Sequence, residues 1–201
     1  MEETKRLEKT DLDNCKEDTM IKYIALLRGI NISGKNKISM SELKLELEKN
    51  KYQNVSTYLN SGNVIFESNI NNKETIMKDI YKIIKNKFNL EVPIFVMTSL
   101  ELEDILNNNP KWWGTGNKEI YDNLIFIITL TKYEDVYNTI GEPKEDIEKI
   151  KEYNNSIFLS YDLKKYRKSN WWSKTASTNI SDKITIRTAN TMKKILEICK
   201  R

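Results

Sequence analysis

The segment RGINISGKNK, residues 28–37, combines the residue types that bind anions. Two glycines let backbone amides approach a ligand, and three bases can neutralise its charge. The spacing matches neither the GxxxxGK[ST] phosphate loop nor the GxGxxG dinucleotide fingerprint. The segment therefore predicts either an anion site or a plain connection between a strand and a helix. Its bases are Arg28, Lys35 and Lys37.

A second basic segment, IRTANTMKK at residues 186–194, leads into the last predicted helix. Its polar residues, Asn190 among them, can cap that helix, and Arg187 would then stand beside free backbone amides that attract anions. The same pattern also fits plain capping next to an exposed arginine. We expect an anion site here if the fold brings Arg28 and Arg187 together.

Two tryptophan pairs lie beside bases, Trp112–Trp113 in PKWWGTGNK and Trp171–Trp172 in KSNWWSKT. Aromatic rings between lysines can stack on nucleobases while the ammonium groups contact phosphates. Alternatively, one ring of each pair packs under a loop and its neighbour is partly exposed, since tryptophan is usually mostly buried. The first interpretation makes Trp112, Trp113, Trp171 and Trp172 ligand-binding residues.

The chain contains no histidine, which excludes several kinds of chemistry. Ser-His and Cys-His nucleophilic pairs, histidine general bases and histidine-ligated metals are all ruled out. An enzyme would need another base, for which Lys35 and Tyr58 are candidates, and Ser61 is better explained as part of a hairpin turn. Cys15 and Cys199 cannot build a zinc site alone, so we predict no metal and no cofactor.

The composition indicates a globular chain that favours anionic partners. Charged residues make up 31% of its 201 residues and hydrophobic ones 39%, and no apolar run approaches the roughly 18 residues of a membrane span. The net charge is +4; residues 1–20 carry four bases and seven acids, which leaves 29 bases and 22 acids in residues 21–201. We predict a cytoplasmic protein that binds an anionic ligand, either a nucleotide or nucleic acid, and no membrane. The oligomeric state stays open.

The elements that would position these residues occur in a repeated order. Short apolar strand patterns alternate with helical patterns as β-α-β-β-α-β, first over residues 21–98 and again over residues 99–201. The first copy contains the strands IKYIALL, VSTYL, VIFES and VPIFVM and two helices, the second spanning 72–88. The second contains a connecting helix from Thr98, a strand at 123–130, a helix ending at Gly141, a hairpin around Asn154 and Asn155, a weaker helix at 166–180, the strand KITIRT and a closing helix.

We therefore predict an α+β fold of tandem ferredoxin-like (βαββαβ) halves with extra helices. Each half would be a four-stranded antiparallel sheet with helices on one face. The predicted boundaries are a disordered extension at 1–20, a first subdomain at 21–98, and a second at 99–201 that includes the connecting and C-terminal helices. If the halves pack edge to edge, Arg28 and Arg187 could face each other.

Three ordered stretches, YIALLRGINISGKNKISMSELK, YLNSGNVIF and ITIRTANTMKKI, resemble the family catalogued as domain of unknown function 1697. PKWWG, at residues 110–114, resembles one subgroup of it. The resemblance covers residues 20–201 and implies an α+β fold with two related subdomains. The family name implies no established activity and defines no catalytic residue that could be transferred to this chain.

Our leading hypothesis is a non-catalytic or weakly catalytic binder of a phosphate-bearing ligand, either a nucleotide or nucleic acid. One alternative is an enzyme acting on a small metabolite in the cleft between the halves. Another is an interaction module that presents exposed tryptophans to a protein partner. The predicted ligand-binding residues are Arg28, Lys35, Lys37, Trp112, Trp113, Trp171, Trp172, Arg187 and Asn190.

Overall fold

Two four-stranded antiparallel sheets and six α-helices make up the computed structural model, which describes residues 19–128 and 130–201. The predicted α+β class is confirmed. Most of the predicted extension at 1–20 lies outside the described residues, as does Cys15. Across the described ranges, every helix is too short or too polar to cross a membrane.

The first half follows the predicted order of elements, and its sheet has the strand order β2-β3-β1-β4. All three strand pairings are antiparallel, with β1 in the interior between β3 and β4. The elements are β1 (Ile21–Leu27), α1 (Met40–Lys49), β2 (Gln53–Tyr58), β3 (Asn63–Ser68), α2 (Lys73–Phe88) and β4 (Ile94–Thr98).

The second half repeats this order, and its sheet has the equivalent strand order β6-β7-β5-β8. Helix α3 connects the two sheets and α6 ends the chain. The elements are α3 (Ser99–Asn107), β5 (Ile120–Ile127), α4 (Tyr133–Ile140), β6 (Glu148–Tyr153), β7 (Ser156–Asp162), α5 (Asn170–Ser177), β8 (Ile184–Thr188) and α6 (Ala189–Cys199).

The helices begin at polar caps and bury one apolar face. Ser39 caps α1 by accepting a hydrogen bond from the Glu42 amide, and Thr98 and Glu101 form a capping box at the start of α3. In α2, four isoleucines at helical spacing are buried against the sheet, while the lysines and Glu74 face solvent. Local sequence therefore sets both the starts and the buried faces of these helices.

Two predicted elements differ from the structure by three or more residues at both bounds. The strand predicted at 123–130 is β5, which begins and ends three residues earlier. The reason is its pairing with β7, in which Ile120 lies opposite Asp162 at one end and Phe126 lies opposite Ser156 at the other. The helix predicted at 166–180 is the shorter α5, which Ser169 caps by accepting a hydrogen bond from the Trp172 amide. A separate 3₁₀ turn covers residues 166–168.

The two sheets share one core. Inward-facing residues of both sheets and apolar residues of α3 and α6 form a single cluster, in which the rings of Phe95 and Phe126 stack with centroids 5.0 Å apart. Cys199 is a buried free thiol in this cluster. Helices α1 and α2 cover the outer face of the first sheet, and α4 and α5 that of the second. This packing brings the end of β1 close to β8.

The turn between β2 and β3, residues 59–62, contacts the end of β1. The amide of Leu27 donates a hydrogen bond to the carbonyl of Gly62 at 2.8 Å. Gly62 has a φ of +81°, and a Cβ atom added there would lie 2.7 Å from Leu27 Cβ and 2.9 Å from Ile30 Cδ1. Both the backbone conformation and the close approach therefore require glycine.

We expect Gly62→Ala to lower the free energy of unfolding by about 2–4 kcal/mol, since it adds a steric clash to backbone strain. Gly116→Ala is the matched control, because Gly116 has a φ of +80° and nothing within 4 Å of an added Cβ. Strain alone should cost about 1 kcal/mol there. Urea denaturation of both variants measures the difference, and equal losses would contradict the predicted clash.

Candidate functional site

A surface cavity of about 450 Å³ lies where the end of β1, the turn after β2, and β8 meet. We call it the arginine pocket, because Arg28 and Arg187 both line it. The two halves of the chain thus contribute one guanidinium each. The remaining lining residues are Leu27, Gly29, Ile30, Ile32, Leu59, Ser61, Thr185, Ile186, Thr188 and Thr191.

Arg187 is 9% exposed, and hydrogen bonds hold its guanidinium on all sides. Its acceptors are all neutral and come from both halves. They accept hydrogen bonds from all five N–H donors of the guanidinium, so every donor is used within the protein. Arg187 therefore joins the halves but has no donor left for a ligand. The bonds run from Nε to Asn63 Oδ1 (2.5 Å), from Nη1 to Thr185 Oγ1 (3.0 Å) and the Ile186 carbonyl (2.8 Å), and from Nη2 to the carbonyls of Leu27 (2.7 Å) and Ser61 (2.9 Å).

The positive charge of Arg187 is not neutralised by a carboxylate. Neither Arg187 nor Arg28 forms an ion pair with an acidic side chain in the described part of the chain. Burial, and then the nearby charge of Arg28, lower the pKa of Arg187 to about 10. Its guanidinium is therefore still charged at neutral pH, and a bound anion would offset the cost of that charge.

Arg28 has the opposite balance of donors. Nη1 of Arg28 donates a hydrogen bond to the Ile184 carbonyl at 2.7 Å. This is the one hydrogen bond that the Arg28 side chain makes among the described residues, so four of its five N–H donors have no partner there. Burial lowers the pKa of Arg28, while the charge of Asp182 raises it. Asp182 is exposed and does not line the pocket. Arg28 is thus the residue able to contact an anion directly.

The N-terminus of α6 adds positive potential to the same cavity. Thr188 caps this helix by accepting a hydrogen bond from the Thr191 amide at 3.2 Å, and both threonines line the pocket. The first turn of α6 contains no acidic residue. By contrast, α1 to α4 each have at least one in the first turn, and the Glu148 carboxylate accepts hydrogen bonds from the first amides of α5. The helix dipole of α6 is therefore not neutralised by its own first turn.

The lining of the arginine pocket differs in charge from that of other cavities. Four other cavities on the described surface each include at least one carboxylate, such as Glu91 in an apolar cavity of about 520 Å³ and Glu74 in a neighbouring one. The arginine pocket is lined by two cations and by no acidic side chain. This is the electrostatic character expected of an anion site.

The segment at residues 28–37 forms a small hairpin that contributes Arg28, Gly29, Ile30 and Ile32 to the pocket lining. The amide of Lys35 donates to the Ile32 carbonyl at 2.9 Å, with Ser33 and Gly34 both at positive φ as a two-residue hairpin turn requires. Lys35 and Lys37 are exposed and do not line the cavity. Of the three bases predicted in this segment, the structure places only Arg28 in the pocket.

The four tryptophans lie away from the arginine pocket. Trp113 and Trp171 are buried, and each donates its indole N–H to a backbone carbonyl, at 2.7 Å and 3.0 Å respectively. Trp112 lines a different cavity, and the partly exposed Trp172 packs beside two tyrosines. Each pair thus has one ring in the core, so Trp113 and Trp171 are not accessible for stacking on a ligand in this structure.

Two further candidate residues also lie outside the pocket lining. Asn190 is exposed in the first turn of α6, where Thr188 rather than Asn190 provides the cap. Tyr58, the candidate base of the enzyme hypothesis, packs half-buried against the central core. The predicted set therefore reduces to Arg28 and Arg187 within the cavity.

Two residues that shape the site were not among the predicted ligand-binding residues. Asn63 is fully buried, accepts the Nε bond of Arg187 and donates its own side-chain N–H to the Tyr58 carbonyl at 2.7 Å. Leu59 lines the pocket with an exposed side chain and a φ of +59°. The sequence signal for both was the segment YLNSGN, which we interpreted only as a hairpin turn.

Comparisons with known proteins identify relatives but no ligand. A family model described as "Protein of unknown function (DUF1697)" matches residues 20–158, a range that includes Arg28 and ends before Arg187. No curated protein matches the chain. The chain is similar to the solved structure of conserved bacterial protein SP0830 from Streptococcus pneumoniae, with 26% identity and a TM-score of 0.79. That similarity covers 90% of this chain and 99% of the other, and it supports the α+β fold.

We expect Arg187→Met to lower the free energy of unfolding by about 2–4 kcal/mol, because buried acceptors in both halves lose their donor. Arg187→Lys should recover only part of this loss, since an ammonium group cannot reproduce the planar guanidinium contacts. Arg167→Met is the control: Arg167 is exposed and donates to the Tyr166 hydroxyl, so the change should be within about 0.5 kcal/mol. Guanidinium chloride denaturation would refute the proposed bridging role if Arg187→Met and Arg167→Met behaved alike.

Proposed function

The chain belongs to the DUF1697 family of proteins of unknown function, and from its geometry we propose that the arginine pocket binds the phosphate group of a small phosphate-bearing ligand. One observation carries this proposal: two guanidinium groups from different halves line a single cavity that contains no carboxylate. Such a cavity attracts an anion, because a bound negative charge relieves the repulsion between the two cations.

The two arginines have different roles in this proposal. Arg28 contacts the ligand, since its free N–H groups can donate two parallel hydrogen bonds to phosphate oxygens. Arg187 fixes the geometry and contributes charge through space, since its own donors are already used. The N-terminus of α6 adds partial positive charge from the side of Thr188 and Thr191.

The charge balance favours a phosphate over a singly charged ligand. A phosphate monoester carries about −1.5 to −2 charges at pH 7. Two guanidinium groups and one helix N-terminus together match a charge of this size, whereas a carboxylate would leave part of the positive potential unneutralised.

The lining supports binding more than catalysis by proton transfer. Apart from Arg28 and Arg187, whose guanidinium groups stay protonated near neutral pH, its side chains are hydroxyl-bearing or apolar. The candidate bases Lys35 and Tyr58 of the enzyme hypothesis are not among them. A small ligand is favoured over a nucleic-acid polymer, because the predicted lysines and tryptophans do not extend this pocket into a basic groove.

Arg28→Gln should weaken the binding of phosphate-bearing ligands at least about tenfold, because charge-assisted hydrogen bonds to the phosphate are lost. Lys37→Gln removes the same charge from an exposed residue of the same 28–37 segment that lies outside the pocket lining, and should change affinity less than about twofold. Thermal-shift titrations of both variants with inorganic phosphate, pyrophosphate and ribose 5-phosphate provide the measurement. Equal effects of the two substitutions would rule out direct contact by Arg28.

We also expect affinity for inorganic phosphate to fall about three- to tenfold when NaCl rises from roughly 50 to 500 mM, because Arg28 is partly exposed and salt screens its charge. Calorimetric titrations at several salt concentrations test this expectation. Phosphate binding that does not depend on salt would contradict a contact with the partly exposed charge of Arg28.

A further inference from the structure

Building on the proposed function, we infer that the ligand of the arginine pocket is a mononucleotide. Its phosphate lies at Arg28, and its base lies against an apolar pair formed by Ile32 and Leu59. Both residues line the same cavity as the two arginines. The pocket thus combines a cationic part with an aliphatic one, which matches a ligand with a charged end and a flat apolar end.

The apolar pair is exposed to solvent. Ile32 is 61% exposed and Leu59 55%, although both are large aliphatic side chains. Single exposed aliphatic residues are common, but here two of them share a cavity with two arginines. A base covering both side chains would remove apolar surface from water and thereby add affinity beyond the phosphate contact.

A hydrogen-bonded tether fixes the spacing of the pair. Asn31, next to Ile32, donates its side-chain N–H to the carbonyl of Asn60, next to Leu59, at 2.9 Å. The same Asn31 side chain also bonds both the carbonyl and the amide of Ile38, each at 2.9 Å. The hairpin that carries Ile32 is therefore anchored to the turn that carries Leu59, and the two apolar surfaces are held in place before any ligand arrives.

The backbone of Leu59 points to the importance of its side chain. Its φ of +59° lies in the left-handed region, which leucine rarely adopts and asparagine tolerates well. Leucine thus carries a conformational cost at this position. An apolar contact offered to a ligand accounts for that cost better than the turn itself does.

The size and lining of the pocket favour a single nucleotide over a polymer. Its volume of about 450 Å³ lies within the usual range of small-molecule sites. No aromatic side chain lines it, whereas surfaces that bind single-stranded nucleic acids stack successive bases on aromatic rings. The hydroxyls of Ser61 and Thr188, also in the lining, supply polar partners for a sugar.

The test compares three probes that share a phosphate but differ in what is attached to it. Wild-type chain is titrated calorimetrically with inorganic phosphate, ribose 5-phosphate and adenosine monophosphate at low salt. We expect adenosine monophosphate to bind at least about tenfold more tightly than ribose 5-phosphate, because only the nucleotide covers the apolar pair.

Leu59→Asn removes the apolar surface while suiting the left-handed backbone, so the variant should fold normally. We expect it to weaken adenosine monophosphate binding about fivefold and to leave inorganic phosphate binding within about twofold. Leu45→Asn is the matched control, because Leu45 is 56% exposed in α1, outside the pocket. It should leave the affinities for all three probes unchanged.

Different results overturn different claims. Equal binding of adenosine monophosphate and ribose 5-phosphate would overturn the mononucleotide inference and leave the phosphate site standing. Equal weakening of all three probes by Leu59→Asn would overturn the role of the apolar pair. A single-stranded oligonucleotide binding more than about tenfold tighter than adenosine monophosphate would favour a polymer instead. Failure of all three probes to bind would end the proposed function as well.

Discussion

The buried guanidinium of Arg187 is the interaction on which the candidate site depends. It extends from β8 in the second half to the carbonyls of Leu27 and Ser61 and the amide oxygen of Asn63 in the first half. A buried charge is tolerated when its hydrogen bonds are complete, and here every donor is used. Because all the acceptors are neutral, the bonds satisfy the guanidinium without cancelling its charge, and positive potential remains at the pocket.

Arg28 and Arg187 connect the halves in both directions. Arg28 belongs to the first half and donates to the Ile184 carbonyl of β8, while Arg187 belongs to β8 and donates to the first half. The pocket exists only where the halves meet, so it depends on the core shared by the two sheets. Arg187 is a charge held in a fixed position by its hydrogen bonds, and Arg28 beside it has N–H groups free to contact a ligand. Preorganisation of this kind lowers the cost of ordering a site when a ligand binds.

Much of the fold was predictable because its signals are local and periodic. Short apolar runs predicted the strands, a helical pattern at 72–88 predicted α2, and Thr98 was the predicted start of the connecting helix α3. The bounds of β5 were not predictable, because pairing with β7 decides which residues join the ladder. Adjacent tryptophans look alike in sequence, and only packing puts the ring of Trp113 at 5.0 Å from that of Phe158 while leaving Trp172 partly exposed.

The sequence alone established the α+β class, the duplicated order of elements, the absence of histidine chemistry and the two basic segments around Arg28 and Arg187. Each of these follows from the residue types present or from hydrophobic patterns within a short stretch of the chain. Only the tertiary structure decided that Arg187 lies against Leu27, 160 positions away, and that Asn63 and Leu59 complete the site while the lysines and tryptophans do not. The reason is that the meeting of distant loops depends on how two whole sheets pack through a common core, a sum over many contacts that no local pattern records.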